Sequence, residues 1–278
     1  MAQNLSKCRI EHHHYHKADR KADSWHIGVL FLMRLWDKLL DQITPAELSK
    51  LIDECGYCSP EMKSINKPKV TDLDGPAGLN DIIKHGSMPI SDELQAMTWP
   101  TQYMLASTWN VTLAEDMGRG IGEDGLYSKT AGWYGPGMNI HRSHLCGRNF
   151  EYYSEDPLLA GKMAAAMING VESNGVGTSL KHFAVNNQEL NRNHNDSVVS
   201  QRALREIYLK GFEICVKEAD PWTLMSSYNL INGLHTSESY ELLTEILRNE
   251  WRFKGMVTTD WGVKNDPVKE VKAGNDMK

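Results

Sequence analysis

Short runs of apolar and β-branched residues alternate along the chain with longer stretches in which apolar residues recur at helical spacing. The short runs predict strands at residues 69–74, 103–106, 132–138, 178–185, 224–228 and 256–259. Amphipathic helices are predicted at residues 157–172, 200–217 and 240–251, between several of these strands. Strands separated by helices of this length predict parallel βα units, and their number favours an α/β fold of the (β/α)8 TIM-barrel type over a doubly wound sheet. Because the chain ends where the last strand would close, we expect the barrel to be incomplete at its C-terminus.

The first 40 residues stand apart from this pattern. Histidines lie there among charged residues with little sustained period (His12, His13, His14, His16 and His26). Such a tract can bind metal, but a flexible tail is the commoner reason for it. We therefore predict an atypical, flexible segment at residues 1–40 and a barrel domain at residues 41–278. Near the start of that domain, Thr44 and Glu47 flank Pro45 in the pattern of a capped helix start.

Composition and charge limit the classes of partner. The 278 residues are 41% hydrophobic and carry a formal net charge of −6, from 36 acidic and 30 basic side chains. Without a long basic run there is no electrostatic reason to expect nucleic acid or a membrane surface as a partner. The best apolar run, residues 27–33, is too short for a membrane helix. Five cysteines at irregular spacing argue against a disulfide framework and predict a cytoplasmic protein.

No stretch of the sequence predicts a cofactor or a metal site. The glycines of residues 118–122 are spaced like part of a dinucleotide-binding loop, but they lie within a helical pattern and not after a strand. The pair Cys55 and Cys58 lacks both the second half of a zinc site and the surroundings of a thioredoxin unit. We therefore predict that the protein uses neither.

The carboxyl ends of the predicted strands carry ionisable or aromatic residues. They are Asp74, the segment 142–148, Lys181 with His182, Tyr228, and Asp260 with Trp261. Barrel enzymes build their active sites on this rim, so we expect these side chains to meet there. Acids, cations and an aromatic surface suit a small neutral saccharide, whose hydroxyls donate to carboxylates and accept from cations. For Asp260 alone, a role as the N-cap of the next helix is the competing interpretation.

Six motifs occur in a fixed order along the chain. They are Asp74-Gly-Pro-Ala-Gly78, Gly135-Pro-Gly-Met-Asn-Ile-His-Arg142, Gly147-Arg-Asn-Phe-Glu-Tyr-Tyr-Ser-Glu-Asp-Pro157, Lys181-His-Phe-Ala-Val-Asn-Asn-Gln-Glu189, Met225-Ser-Ser-Tyr-Asn229 and Thr259-Asp-Trp-Gly262. Together they resemble glycoside hydrolase family 3, the β-glucosidase and related group. A single motif would be weak support, whereas their shared order extends the resemblance over nearly all of the chain from about residue 45. The resemblance favours a catalytic role for Asp260 over a helix cap.

The resemblance also implies a role for each matching residue. Asp260 would be the nucleophile of a retaining enzyme that releases terminal non-reducing β-D-glucosyl residues through a covalent glycosyl-enzyme. Arg192 and Tyr228 would sit beside it, and the other residues would bind the sugar (Asp74, Arg148, Lys181, His182, Met225 and Trp261). We expect these neighbours to hold the pKa of the Asp260 carboxyl down, since the attacking group must be ionised. Glu151 and Asp156 are expected to support their loop and not to touch sugar.

A retaining mechanism needs a second carboxyl, about 5–5.5 Å from the first, to protonate the leaving oxygen. In the family this group usually comes from a separate α/β sandwich domain, which we do not find in this chain. Three explanations stay open: the chain is a fragment of a longer enzyme, another subunit lends the acid, or His194 and Asp196 form the dyad of the β-N-acetylhexosaminidase branch. From a different class, the chain would be a sugar-binding module without turnover. The expected partners are therefore a β-glucoside and either a missing second domain or another copy of the chain.

Overall fold

The computed structural model describes residues 35–53, 55–79 and 97–278, and the chain divides into two compact units. The smaller unit comprises residues 1–55 and 59–70. In its described part, residues 35–40 are helical, helix α1 spans Pro45–Asp53 and a 3₁₀ turn spans Lys63–Ile65. Thr44 N donates to Glu47 Oε2 at 3.0 Å, and Glu47 N donates to Thr44 Oγ1 at 3.2 Å. This reciprocal capping confirms the predicted start of α1.

The larger unit, residues 56–58 and 71–278, is organised around parallel strands. In sheet order they are β1 (Val70–Asp74, of which 71–74 belong to this unit), β2 (Thr130–Tyr134), β3 (Gly177–Phe183), β4 (Thr223–Ser226) and β5 (Met256–Thr258). Each is parallel to the next, so their carboxyl ends lie at one edge of the sheet. Every residue of β3 is buried, as expected for a strand whose two faces are both covered.

Helices follow these strands along the chain. They are α2 (Gln102–Ala106), α3 (Val111–Tyr127), α4 (Pro157–Ser173), α5 (Lys210–Ala219) and α6 (Pro267–Ala273). Short helical turns occupy Asn149–Glu151, Gln201–Ala203 and Thr236–Glu238, and π-helical segments occupy Leu204–Tyr208 and Glu241–Glu250. A second sheet is formed by three two-residue strands, Asp196–Ser197, Leu230–Ile231 and Leu234–His235. A further two-residue strand, Cys58–Ser59, does not belong to this second sheet.

Side-chain caps explain where three of the helices begin. Asn110 Oδ1 accepts from Thr112 N at 3.1 Å at the start of α3. Asp156 Oδ1 accepts from Leu158 N at 2.7 Å, and Asp266 caps α6 in the same way. A proline follows each of the two aspartates at the first helical position. Asp156 therefore supports its segment structurally, as predicted.

Helices α3 and α4 approach each other closely through glycine. A Cβ on Gly118 would collide with the backbone oxygen of Met167, and one on Gly170 would collide with that of Glu115. Residues 118–122 lie inside α3, which confirms the prediction that these glycines belong to a helix. The close packing of the two helices explains the glycine at position 118. The same packing buries Met167 and Ile121 at the centre of the core.

The predicted strand at residues 103–106 is wrong, because these residues are helical in α2. A run of four apolar residues is too short for its periodicity to separate strand from helix. Burial follows the helical spacing: Gln102, Leu105 and Ala106 are buried, whereas Tyr103 and Met104 are exposed. The predicted helix over residues 200–217 exists, but a π-helical segment interrupts it.

The alternation of parallel strands and helices establishes an α/β fold, whereas closure into an eight-stranded barrel stays a prediction. Most of the His-rich segment, residues 1–34, lies outside the described residues, and the predicted domain boundary at residue 40 stays untested. Within the part of the chain that the structure describes, no helix has the length and apolar character needed to cross a bilayer.

Candidate active site

The sheet edge brings Asp74 and Lys181 together. Lys181 lies in β3, and its Nζ donates to Asp74 Oδ1, at the end of β1, at 2.6 Å. Lys181 is 1% exposed, whereas the Asp74 side chain is 34% exposed, so the cation is shielded from water while the carboxylate stays accessible. Burial raises the pKa of the Asp74 carboxyl, but Lys181, the Gly75 N–H and Arg148 outweigh burial and bring it below the usual value. Asp74 is therefore ionised at neutral pH and able to accept from a hydroxyl.

Glu151 lies between two of the cations of the site, Arg148 and Lys181. Arg148 Nε donates to Glu151 Oε1, and Lys181 Nζ lies 3.8 Å from Glu151 Oε2. Glu151 is buried, so its carboxylate compensates charges that water does not reach. The expectation that Glu151 supports its loop is correct but incomplete, since it also faces a cation on β3.

Asp260 follows β5 and is buried in the same edge. His182 Nε2 lies 3.6 Å from Asp260 Oδ2, and this oxygen has no hydrogen-bond partner among the described residues. Burial raises the pKa of the Asp260 carboxyl to about 6, against the lowering effects of Arg148, Lys181, the Tyr228 hydroxyl and Arg192. The expectation that these neighbours hold the pKa down is therefore wrong in its net result, because desolvation is the larger effect.

Tyr228 and Arg192 lie beside this carboxylate. The Tyr228 hydroxyl donates to the Trp261 carbonyl at 2.6 Å, and the Arg192 guanidinium carbon lies 4.2 Å from the centroid of the Tyr228 ring. Burial, followed by the Asp260 charge, raises the pKa of the Tyr228 hydroxyl, so it stays neutral. Arg192 also donates to Glu189 Oε2 at 2.8 Å. Both residues thus lie close enough to Asp260 to act on its pKa, and their roles in catalysis stay predictions.

His182 belongs to a hydrogen-bonded chain that the sequence analysis missed. The Tyr152 hydroxyl lies 3.0 Å from His182 Nδ1, and Asn186 Nδ2 donates to that hydroxyl at 3.0 Å and to Glu189 Oε1 at 3.1 Å. Burial, reinforced by the nearby cations, lowers the pKa of His182 well below 6.5, so the imidazole is neutral. All three missed residues stand within the motifs quoted above, which was the only signal for them.

Aromatic side chains form one wall of this edge. Trp261 is 59% exposed, and the Tyr57 ring stands edge-on to it with 4.9 Å between the centroids. Tyr57 also lies 5.4 Å from the Tyr134 ring. Tyr57 was not predicted, because a lone tyrosine beside Gly56 carries no sequence signal of its own. Met225 is buried within β4, and its implied contact with substrate stays a prediction.

The proposed acid dyad is not assembled. His194 and Asp196 are both exposed, and within the described ranges no hydrogen bond or ion pair joins them. Asp196 Oδ1 instead accepts from Gly233 N at 2.9 Å, inside the small sheet. This arrangement gives the dyad no structural support.

Residues 73–274 match the sequence model of the glycosyl hydrolase family 3 N terminal domain. The chain belongs to glycoside hydrolase family 3. The resemblance drawn from the six motifs is therefore confirmed.

Several named glycosidases are similar to this chain over most of its length. It is 48% identical over 219 residues to beta-glucosidase A of Butyrivibrio fibrisolvens, covering 78% of this chain and 25% of that protein. It is 47% identical over 216 residues to an exo-alpha-(1->6)-L-arabinopyranosidase of Bifidobacterium longum, covering 77% of this chain and 28% of that protein. The solved structure of beta-glucosidase 3B from Thermotoga neapolitana in complex with glucose matches with a TM-score of 0.80 and 43% identity, over 87% of this chain and 36% of that one.

The chain thus spans between 25% and 36% of the length of these relatives. Family membership follows from the matched domain.

Proposed function

We propose that this chain is the nucleophile-bearing domain of a retaining β-glucosidase, and that Asp260 attacks the anomeric carbon. The observation that carries the proposal is the buried Asp260 carboxylate, which has one oxygen without a hydrogen-bond partner among the described residues and lies at a parallel strand's end. In a helix cap, that oxygen would accept a hydrogen bond from a backbone N–H. A nucleophile needs it available for the sugar.

The chemistry follows from the geometry of the site. One Asp260 oxygen forms a bond to the anomeric carbon as the bond from that carbon to the leaving oxygen breaks, and water later releases the sugar with retained configuration. Asp74, Lys181 and Arg148 supply an acceptor and two donors for sugar hydroxyls. Trp261 offers an exposed aromatic face for the rest of the substrate.

The leaving oxygen needs a proton, and we propose that it comes from a second domain or a second subunit. The exposed, separate positions of His194 and Asp196 favour this over the hexosaminidase-type dyad. We also propose that the strands close into a (β/α)8 barrel, which the similarity to a family 3 structure supports. A cytoplasmic location is proposed from the cysteine composition alone.

A mechanism-based label tests the nucleophile directly. A 2-fluoro-β-D-glucoside with a good leaving group needs no proton to react, so it should add one fluoroglucosyl group to Asp260, located by mass spectrometry of peptides. The Asp260→Asn variant is the control and should stay unlabelled. A label on another residue, or none at all, would refute the role of Asp260.

Turnover separates the remaining alternatives. An aryl β-D-glucoside should be hydrolysed while cellobiose is hardly cleaved if this chain lacks the acid. A sugar-binding module would bind glucose in calorimetry and hydrolyse no aryl glycoside. A dyad enzyme would lose activity in the His194→Ala and Asp196→Ala variants. The arabinopyranosidase relative makes an aryl α-L-arabinopyranoside the second substrate to compare.

A further inference from the structure

A continuous line of polar groups runs from the half-buried Glu189, through the buried Asn186 and Tyr152, to the face of His182 opposite Asp260. Glu189 contacts Asn186, Asn186 contacts Tyr152, and Tyr152 contacts His182, with separations of 3.1, 3.0 and 3.0 Å. The far nitrogen of His182, Nε2, lies 3.6 Å from Asp260 Oδ2. Each member of the line can donate only a limited number of protons, so the direction of every hydrogen bond can be worked out.

The carboxylate at one end fixes the orientation of the Asn186 amide. Glu189 Oε1 can only accept, so the Asn186 atom 3.1 Å away must be the NH₂ group. The opposite assignment would set the amide oxygen against a carboxylate oxygen. Arg192 holds the other oxygen of Glu189 at 2.8 Å and keeps that carboxylate in place. Asn186 therefore donates to the Tyr152 hydroxyl.

The remaining proton has one destination. The Tyr152 hydroxyl accepts from Asn186 and lies 3.0 Å from His182 Nδ1, so its own proton points at that nitrogen. Tyr152 is fully buried, so bulk water does not compete for that proton. Since the imidazole is neutral, an accepting Nδ1 requires the hydrogen to sit on Nε2.

The backbone holds the ring for this contact. His182 N donates to Asn139 Oδ1 at 2.9 Å, and Asn139 Nδ2 donates to the His182 carbonyl at 2.9 Å. With its backbone held on both sides, the imidazole keeps Nδ1 towards Tyr152 and Nε2 towards Asp260.

We propose that Tyr152 is a positioning residue that fixes His182 in the tautomer with hydrogen on Nε2. In this tautomer His182 turns a donor towards Asp260 and any sugar hydroxyl bound there. In the other tautomer a lone pair would face the carboxylate and repel it. The catalytic meaning of the tautomer rests on the proposed function, but the tautomer itself can be observed without turnover.

Nitrogen-15 NMR of the protein labelled at histidine distinguishes the two tautomers of a neutral imidazole. A His182→Gln variant assigns the His182 signals by their loss. At neutral pH the wild-type protein should show His182 with hydrogen on Nε2 only. Hydrogen on Nδ1, or a mixture of the two tautomers, would overturn the proposal.

A paired exchange should reverse the tautomer. In the double variant Asn186→Asp and Glu189→Gln the net charge is unchanged, and the new carboxylate accepts from both the glutamine amide and the Tyr152 hydroxyl. Tyr152 must then accept from His182 Nδ1, so the hydrogen moves to that nitrogen. A merely structural role for the line predicts no such reversal, and finding Nε2–H again would contradict the proposal.

Single variants keep the proposal testable if the exchange does not fold. Tyr152→Phe should give a mixture of tautomers and lower kcat/KM for an aryl β-D-glucoside by about tenfold. The matched control is Tyr153→Phe, because Tyr153 is equally buried and its hydroxyl has no hydrogen-bond partner within the described residues. That control should change neither readout. A pure Nε2–H tautomer in Tyr152→Phe would show that Tyr152 does not fix it.

If Asp260 takes no label, the proposed function fails while the NMR result still decides the tautomer.

Discussion

Replacing the buried Asp260 carboxyl by an amide should stabilise the folded protein at neutral pH. The pKa of Asp260 rises from 3.8 to about 6 on folding, and burial is the main cause. This rise corresponds to about 3 kcal/mol, which is the free energy spent in keeping an ionised carboxylate in the folded site. Asp260→Asn fills nearly the same volume without the charge. The variant should therefore unfold with a free energy about 3 kcal/mol higher, or a Tm roughly 6–12 °C higher for a protein of this size.

The sign of the pH dependence follows from linkage. A carboxyl whose pKa is raised on folding contributes stability that is fully present below pH 3.8 and is lost as pH rises to about 6. The advantage of Asp260→Asn should therefore be near zero below pH 4, grow between pH 4 and 6, and stay constant above. Urea unfolding of both proteins across this range measures it directly.

A control separates this effect from general charge removal. Asp37→Asn removes one carboxylate from an exposed position. The difference between its free energy of unfolding and that of the wild type should not change across the same pH range. Equal stability of Asp260→Asn and wild type at pH 8 would refute the argument, because the carboxylate would then cost nothing to bury. A variant less stable than wild type at pH 8 would show that its interactions with cations outweigh desolvation.

Three further outcomes are expected. The kcat/KM for an aryl β-D-glucoside should fall below about pH 6, because protonated Asp260 cannot attack; a rate that stays constant down to pH 4 would contradict this. Lys181→Met removes the cation paired with the half-buried Asp74 and leaves the buried Glu151 with Arg148, so it should lower the free energy of unfolding by about 1–3 kcal/mol, whereas Lys162→Met, at an exposed ion pair, should cost about 0–1 kcal/mol; equal losses would be inconsistent with the burial of Lys181. Gly170→Ala should destabilise by about 1–3 kcal/mol through the clash with α3, and Gly147→Ala, where a Cβ meets nothing closer than 3.7 Å, should not; thermal unfolding compares them.

The parts of the fold that depend on local chemistry could be predicted from the sequence. The cap of Thr44 and the strand before Asp260 follow from residue type and spacing, and both are present. The helix at Gln102–Ala106 was missed, because four apolar residues satisfy either period and only the burial of one face decides between them. Local patterns identify an element when it is long enough to show its period, and not otherwise.

The candidate site likewise has some features that could be predicted from the sequence and others that depend on the whole fold. Its position at the strand ends was predictable, because parallel strands bring their carboxyl ends to one edge. The net pKa of Asp260 was not, because the sequence names the neighbouring cations but does not give the depth of burial that outweighs them. The contact between Tyr152 and His182 joins residues 30 positions apart and depends on the fold as a whole.

The balance of charge at the site explains why a neutral His182 matters. The ionisable groups that the described contacts bring together are four carboxyl groups and three cations (Asp74, Glu151, Glu189 and Asp260 with Arg148, Lys181 and Arg192). With His182 neutral, one negative charge is left over. Asp260 is the one of these four carboxylates for which no ion pair with Lys or Arg is found among the described residues. Glycosyl transfer develops positive charge on the sugar, so an excess negative charge in a buried site stabilises the transition state more than the neutral substrate. A protonated His182 would cancel that excess at a distance of 3.6 Å. Burial makes the ionised Asp260 carboxylate less stable in the folded protein, and it also keeps His182 uncharged. Both effects would lower the free energy of the transition state relative to that of the resting protein.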